Sequence, residues 1–200
     1  MKESIEFMRN RHVDQAVWIV GKGPSLQYLN AGYFGNGPII TINEAILSVQ
    51  DLPLANTMYA MNKDGCRNEA KGHTCPMVEP WWDVNMILQA PGFSEHCFPN
   101  HPNRLWINPV DDLGFDLPTV LSVRMCIAIA KLMGGNEINL ISCDSLVNGD
   151  MRIFDGKVVR SSGASGHYSH NISIIKKELE DIKHHFILPR KNERQTIANA

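Results

Sequence analysis

The chain has 200 residues, a formal net charge of −2, 44% apolar and 20% charged side chains. That length and apolar share support one globular domain with a sizeable core. The charge balance lacks the basic excess of a general nucleic-acid binder, and no apolar run approaches the ~20 residues of a membrane span. The first residues carry acids and no apolar segment of the secretory type, so a cytoplasmic location is the expectation. Five cysteines, irregularly spaced, read as free thiols or metal ligands rather than as a disulfide framework.

Residues 3–15 are polar and read as a short leading helix or arm. Residues 16–20, Ala-Val-Trp-Ile-Val, are an unbroken apolar run, the signature of a strand buried on both faces. Gly21, Lys22, Gly23, Pro24 and Ser25 follow at once. Glycine admits close backbone approach, Pro24 presets φ, and Ser25 can cap a helix opening at Leu26. Strand, glycine turn and helix N-terminus together make an anion or nucleotide site from free N–H groups. The competing reading is a tight turn that needs glycine for geometry alone. Residues 38–42 read as a second strand ending at Asn43-Glu44, residues 45–49 as a short helical stretch, and residues 57–61 as a third strand ending at Asn62-Lys63-Asp64. Ligands of parallel α/β sheets bind beyond the carboxyl ends of the strands. Asn43, Glu44, Asn62 and Asp64 are therefore site candidates, although Asn, Asp and Gly also serve as plain turn residues.

Between residues 66 and 103 prolines break the pattern, and only 84–90 reads as a strand. Cys66, His73, Cys75, His96, Cys97 and His101 fall here and are ligands of the kind zinc takes. Cys66, His73, Cys75 and Cys97 form the candidate structural zinc set, with an irregular insertion as the alternative. Trp81-Trp82 reads as a core or lid contact, or else as an acceptor platform. Residues 105–107 are a further short strand, and Asp111, Asp112 and Asp116 sit in a loop that is solvated rather than metal-binding. Residues 119–133 predict a helix capped by Thr119, with an apolar stripe of Val120, Val123, Ile127, Ala130 and Met133 and a stop at Gly134-Gly135. Residues 138–141 form the last main strand and deliver Ser142-Cys143-Asp144 to the same edge. Residues 151–160 predict a β-hairpin with an Asp155-Gly156 turn. A small-residue loop, 161–166, leads to His167-Tyr168-Ser169-His170, a closing helix over 171–185, a final strand at 186–188 and a polar tail over 191–200. The expected architecture is α/β: residues 1–200 as a single Rossmann-like domain with a mostly parallel twisted sheet, a small β-hairpin and a short lid region.

Several of these residues resemble a known family. Gly21-Lys22-Gly23-Pro24-Ser25-Leu26 is similar to the Gly-Asn-Gly-Pro-Ser-Leu opening of bacterial sialyltransferases of glycosyltransferase family 42, and to the related opening of the MptE-like domain. Met125-Cys126 with Ala130, Glu137-Ile138 with Leu140, then Asp144, Asn148-Gly149 and Phe154-Asp155, resemble further family blocks at the family's spacing. His167-Tyr168-Ser169-His170 resembles its His-Tyr-x-x-His segment, one residue shorter. The resemblance implies that Asn43, Asn62, Ser122 and Asp144 contact a nucleotide together with the Gly21–Ser25 loop. It implies that His170 is the base that deprotonates the acceptor hydroxyl, with His167 in that role if the deletion shifts the register. Two family tyrosines that hold the leaving phosphate fall at Leu146 and Arg152. Arg152 can hold phosphate by a charge-assisted fork and Leu146 cannot. Lys22 stands for the family's first-loop Asn and could also reach a phosphate.

The activity implied is metal-independent glycosyl transfer from a nucleotide-activated sugar, CMP-linked in the sialyltransferases, with no cofactor. The MptE-type alternative is a diphosphokinase moving pyrophosphate from ATP to a hydroxymethyl group. It would require Mg²⁺, which would recruit Asp64 and Asp144. A non-enzymatic nucleotide- or metal-binding module of the same fold is the third alternative. The partners implied are a nucleotide or nucleotide-sugar and, as an option, a second copy of the chain completing the site as a homo-oligomer.

Overall fold

The computed structural model describes residues 3–62, 80–90, 98–116, 121–145, 151–154, 157–160 and 167–191, with secondary structure alone for 3–5 and 151–171. The apolar runs become strands: β1 Glu3–Ser4, β2 Ala16–Val20, β3 Ile39–Ile42, β4 Met58–Asn62, β5 Asn85–Gln89, β6 Arg104–Ile107, β7 Glu137–Ile141, β8 Met151–Phe154, β9 Lys157–Arg160 and β10 Lys183–Ile187. All four residues of β3 and the last four of β4, β5 and β7 are buried. A strand covered on both faces cannot alternate polar with apolar side chains, which is why these segments read so plainly.

Eight strands form one sheet in the order β1-β6-β5-β4-β3-β2-β7-β10. Each neighbouring pair is parallel. The sheet is thus entirely rather than mostly parallel, and the only antiparallel pair among the described strands is the separate hairpin β8–β9. The chain starts near the middle at β2, builds outward through β3, β4, β5 and β6, then returns to lay β7 and β10 on the other side of β2.

Two helices are described, α1 Ser122–Leu132 and α2 His167–Glu178. Alternate side chains of the central strands point to opposite faces. Val17, Ile19, Ile40, Ile42, Tyr59, Met61 and Ile87 meet Val123, Met125, Cys126, Ile127, Ile129 and Ala130 of α1, with Ile175 of α2 and Leu179 beyond it in the same core. Burying each such apolar side chain stabilises the fold by about 1.5–3 kcal/mol. Val20, Ile39 and Ile141 face the other way, onto Leu26, Tyr33, Phe34, Ala45 and Val49 from the connections after β2 and β3. Arg124 of α1 ties the helices together with a 2.5 Å ion pair to Glu178. Gly134, at φ +82°, stops the α1 segment. The Gly134 and Gly135 N–H groups donate back to the Lys131 and Ala130 carbonyls.

Several local expectations are corrected. The leading segment, expected as a short helix or an arm, contributes the two-residue β1, paired with β6, and a single 3₁₀ turn, Ile5–Met8. Ser25 does not cap a helix. It lies inside a five-residue 3₁₀ turn, Pro24–Tyr28, for which Gly23 occupies the cap position. The closing helix starts at His167 rather than at 171, and β10 takes over residues expected to be helical. Trp81 and Trp82 are 52% and 68% exposed, not core. Thr119 and the Asp155-Gly156 turn lie outside the described residues. Among the described residues no helix is long and apolar enough to cross a membrane.

Candidate functional site

The connection after β2 runs over one face of the sheet, while α1 before β7 and α2 after it run over the other. The carboxyl ends of β2 and β7 therefore mark the point where strand order reverses, the place where open parallel sheets take ligands. Both ends carry segments that the sequence singled out.

The loop after β2 is laced to the loop after β7. The Gly21 N–H donates to the Ile141 carbonyl and the Gly23 N–H to the Ser142 carbonyl, each at 2.8 Å. The Ser25 hydroxyl donates to Asp144 Oδ1 at 2.6 Å and the Ser25 N–H to Asp144 Oδ2 at 3.2 Å. The Leu26 N–H donates to the Gly23 carbonyl. The backbone donors expected to be free for an anion are thus engaged within the chain. The glycines serve this close approach. A Cβ at Gly21 would lie 2.6 Å from the Ser142 carbonyl oxygen, and one at Gly23 would lie 2.0 Å from Asp144 Oδ1.

Register puts the other residues on one level of the edge. Val20 pairs with Thr41 and Ile42 with Met61, so the next residues out, Lys22, Asn43 and Asn62, run along the ends of β2, β3 and β4. Gln89 closes β5. Asn43, Asn62, Gln89 and Ser142 are all buried polar residues. Lys22 Nζ lies 3.0 Å from Glu44 Oε2, with both side chains about nine-tenths buried, so the lysine is paired inside the protein. Asn43 and Ser142, each the first residue past its strand, have φ of +48° and +53°. Asparagine tolerates this left-handed conformation, and serine adopts it less readily. The Ser142 Oγ is buried and has no hydrogen-bond partner among the described residues.

Between these residues sits Cys143. Burial pushes its thiol up to about 12, the Asp144 carboxylate adds to that, and the Gly21 N–H opposes it. Burial likewise pushes the Cys126 thiol up, with Cys143 adding to the effect. Neither is a thiolate nucleophile at neutral pH.

Ser122 opens α1. His167 and His170 both fall in the first turn of α2, and Arg152 falls on β8. α2 ends five residues before Lys183 opens β10 at the amino edge, so its first turn lies toward the carboxyl edge. Asp64 lies outside the described residues, as do Cys66, His73, Cys75, His96 and Cys97. His101 is a satisfied core histidine. Its Nδ1 accepts from the Asn103 N–H at 3.3 Å, which leaves Nε2–H to donate to the Trp81 carbonyl at 3.2 Å. Asp112 accepts from the Asn108 N–H and Asp111 from its side-chain amide, so these acids fold their own loop. No group of three potential metal-ligating side chains is found among the described residues. Asp144, the one described acid of the Mg²⁺ alternative, already accepts from Ser25 through both oxygens.

Sequence reasoning passed over Gln89, counted Glu44 only among the polar strand-end residues and brought Ser142 to the edge without a role. Glu44 and Ser142 were legible only as neighbours of Asn43 and Cys143 at strand ends. Gln89 closes an apolar run and gives no local signal.

Fold and edge together define the class: a Rossmann-like α/β protein with a buried polar row at the switch point of its sheet. No protein-family model matches the chain, and no curated protein or solved structure matches it either.

Proposed function

We propose that the chain is a nucleotide-using transferase, specifically a metal-independent glycosyltransferase that takes a nucleotide-activated sugar at the carboxyl edge of its sheet. One observation carries this reading: the row of buried polar residues at the switch point, with Asn43 and Ser142 held at positive φ. Unusual backbone conformations and buried polar side chains concentrate where ligands bind. The Ser25–Asp144 contact fills the seam between the β2 and β7 loops, so the donor's place is beside it, along the ends of β3 and β4. Asn43 and Asn62 there carry amides, which have both donor and acceptor groups of the kinds a base or a ribose requires.

The remaining roles rest on the family resemblance. His170 takes the proton from the acceptor hydroxyl as that oxygen bonds to the anomeric carbon. The bond from that carbon to the phosphate oxygen breaks, and the nucleotide leaves with the electron pair. Arg152 stabilises the charge developing on it.

Thermal-shift measurements with CMP, CDP, UDP, GDP, ATP and GTP, each with and without Mg²⁺, test the reading. A ligand of the native state raises the melting temperature by mass action. The expected result is a Mg²⁺-independent shift with a pyrimidine nucleotide that is lost in Asn43→Ala. A shift confined to a purine triphosphate with Mg²⁺ would replace sugar transfer by pyrophosphoryl transfer, and no shift with any nucleotide would refute both.

A further inference from the structure

At the opposite, amino edge of the sheet a cavity of about 400 Å³ opens before β4 and β5. Its volume falls within the ~300–1,000 Å³ of small-molecule sites. Thr57, which lines it, and Asn62 on the other edge are five residues apart along β4, about 16 Å at ~3.3 Å per residue. This cavity is therefore separate from the carboxyl-edge site.

Its wall is a tryptophan held in place. The Trp81 N–H donates to Gln50 Oε1 at 3.2 Å. The Trp81 carbonyl accepts from His101 Nε2 at 3.2 Å and from the Val84 N–H at 3.0 Å. The Trp82 carbonyl accepts from Asn103 Nδ2 at 2.8 Å. Four hydrogen bonds thus fix the backbone of a turn whose Trp81 indole is left half exposed against the cavity. The fold leaves about half of this residue uncovered, yet it ties down the backbone beneath it with four hydrogen bonds.

The polar groups around the ring have defined polarity. Gln50 is buried and lines the cavity. Because the Trp81 N–H can only donate, it takes the amide oxygen, and Nε2 remains as a donor with no partner among the described residues. Asn56 spends both amide hydrogens on the Gly35 and Gly37 carbonyls, which leaves its Oδ1 as an acceptor. Asp83 supplies an exposed carboxylate, and Leu54 and Met58 add apolar wall.

We infer that this cavity is a carbohydrate subsite that stacks the apolar C–H face of a neutral pyranose on the Trp81 indole. The ring's hydroxyls meet the remaining demands, since a hydroxyl both accepts from Gln50 Nε2 and donates to Asp83 and Asn56. A cationic amine would satisfy the indole and Asp83 but not the Gln50 donor, which repels it. The inference does not depend on what the carboxyl edge binds.

Saturation-transfer NMR and calorimetric titration test it on the full chain. The probes are the methyl pyranosides of glucose, galactose and N-acetylglucosamine, the corresponding disaccharides, and tetramethylammonium. At least one pyranoside should bind at millimolar concentration, with saturation strongest at its C–H face. Trp81→Ala and Asp83→Asn should each weaken binding by about tenfold, and Trp82→Ala, whose ring lies outside the cavity, should not. Trp81→Phe keeps a smaller ring and should weaken binding less, which preserves the test if the alanine variant fails to fold. Tighter binding of disaccharides would assign the subsite to the end of a glycan chain, and equal binding to a single sugar. Binding that survives in Trp81→Phe and Trp81→Ala alike, preference for tetramethylammonium, or no pyranoside binding at tens of millimolar would overturn the inference.

Discussion

Lys22→Met tests whether the loop after β2 is held by a buried charge pair. Nζ and Oε2 are 3.0 Å apart, and the Lys22 and Glu44 side chains are 8% and 9% exposed. At an effective dielectric of ~20 their attraction is about 5.5 kcal/mol. Desolvating the two ions offsets most of that, so the pair as a whole adds little net stability. Removing one partner is a different matter. Methionine keeps the length and apolar stem of lysine and deletes the charge. Glu44 Oε2 accepts no aligned hydrogen bond among the described residues, so its carboxylate stays buried without a counter-ion. That situation costs about 3–5 kcal/mol, which lowers Tm by roughly 6–20 °C in a domain of this size. The double variant Lys22→Met/Glu44→Leu removes both charges and should return to within ~1 kcal/mol of wild type. Urea unfolding followed by circular dichroism, with constant m-values, measures all three proteins. A loss below ~1 kcal/mol for Lys22→Met, or a double variant no more stable than the single one, would refute the reasoning.

Two further outcomes follow from the same geometry. Gly23→Ala should lose about 2–4 kcal/mol in the same urea assay, because its Cβ would lie 2.0 Å from Asp144 Oδ1 and 2.6 Å from the Ser145 nitrogen. The backbone there, at φ −71° and ψ 162°, suits any residue, so a variant as stable as wild type would rule out the collision itself. His12 makes stability depend on pH: burial holds it below its ordinary value of 6.5, the Gln15 hydrogen bond opposes that and Arg11 adds to it. Its Nδ1–H donates to Gln15 Oε1 at 3.2 Å and its Nε2 accepts from the Tyr59 hydroxyl at 2.9 Å. The unfolded chain takes up this proton first, so the contribution is complete above about pH 6.5 and falls by up to ~1.4 kcal/mol per unit as pH drops toward the folded-state value. Urea midpoints between about pH 7.5 and pH 5 should decline in wild type and flatten in His12→Gln; equal slopes would exclude His12 as the source.

The parallel strands were legible because burial on both faces writes itself as an apolar run, and β2, β3, β4, β5 and β7 each fall within a residue or two of the expected span. β10 was not. Its residues, Lys-His-His-Phe-Ile, lie at the sheet edge with an exposed, intermediate, exposed, exposed, intermediate pattern, so the strand carries the composition of a surface helix end. The 3₁₀ turn at Pro24–Tyr28 was read as a helix because proline and serine open both kinds of structure. The purpose of Gly23 was illegible for another reason. The group that forbids a side chain there is a carboxylate 121 positions along the chain, and no local pattern reports so distant a neighbour.

Positive φ alone does not mark the carboxyl edge, because Asn10, Asp14 and Phe98 share it. Burial separates them. Asn10 and Asp14 are exposed, in turns of the leading segment whose N–H groups donate to the Leu132 and Gly134 carbonyls. Asn43 and Ser142 are 3% and 0% exposed, and each turns the chain sharply at the first step beyond a buried strand. A left-handed residue at such a point costs about 1–3 kcal/mol when it is not glycine, and glycine would have removed that cost. At Gly21 and Gly23 the chain uses glycine where the collision is with its own atoms. At 43 and 142 it keeps a polar side chain in a conformation glycine would adopt more easily. A fold selected for stability alone would place glycine at all four positions. The retained Ser142 hydroxyl, buried at the switch point with no hydrogen-bond partner among the described residues, is the part of this edge that packing does not account for.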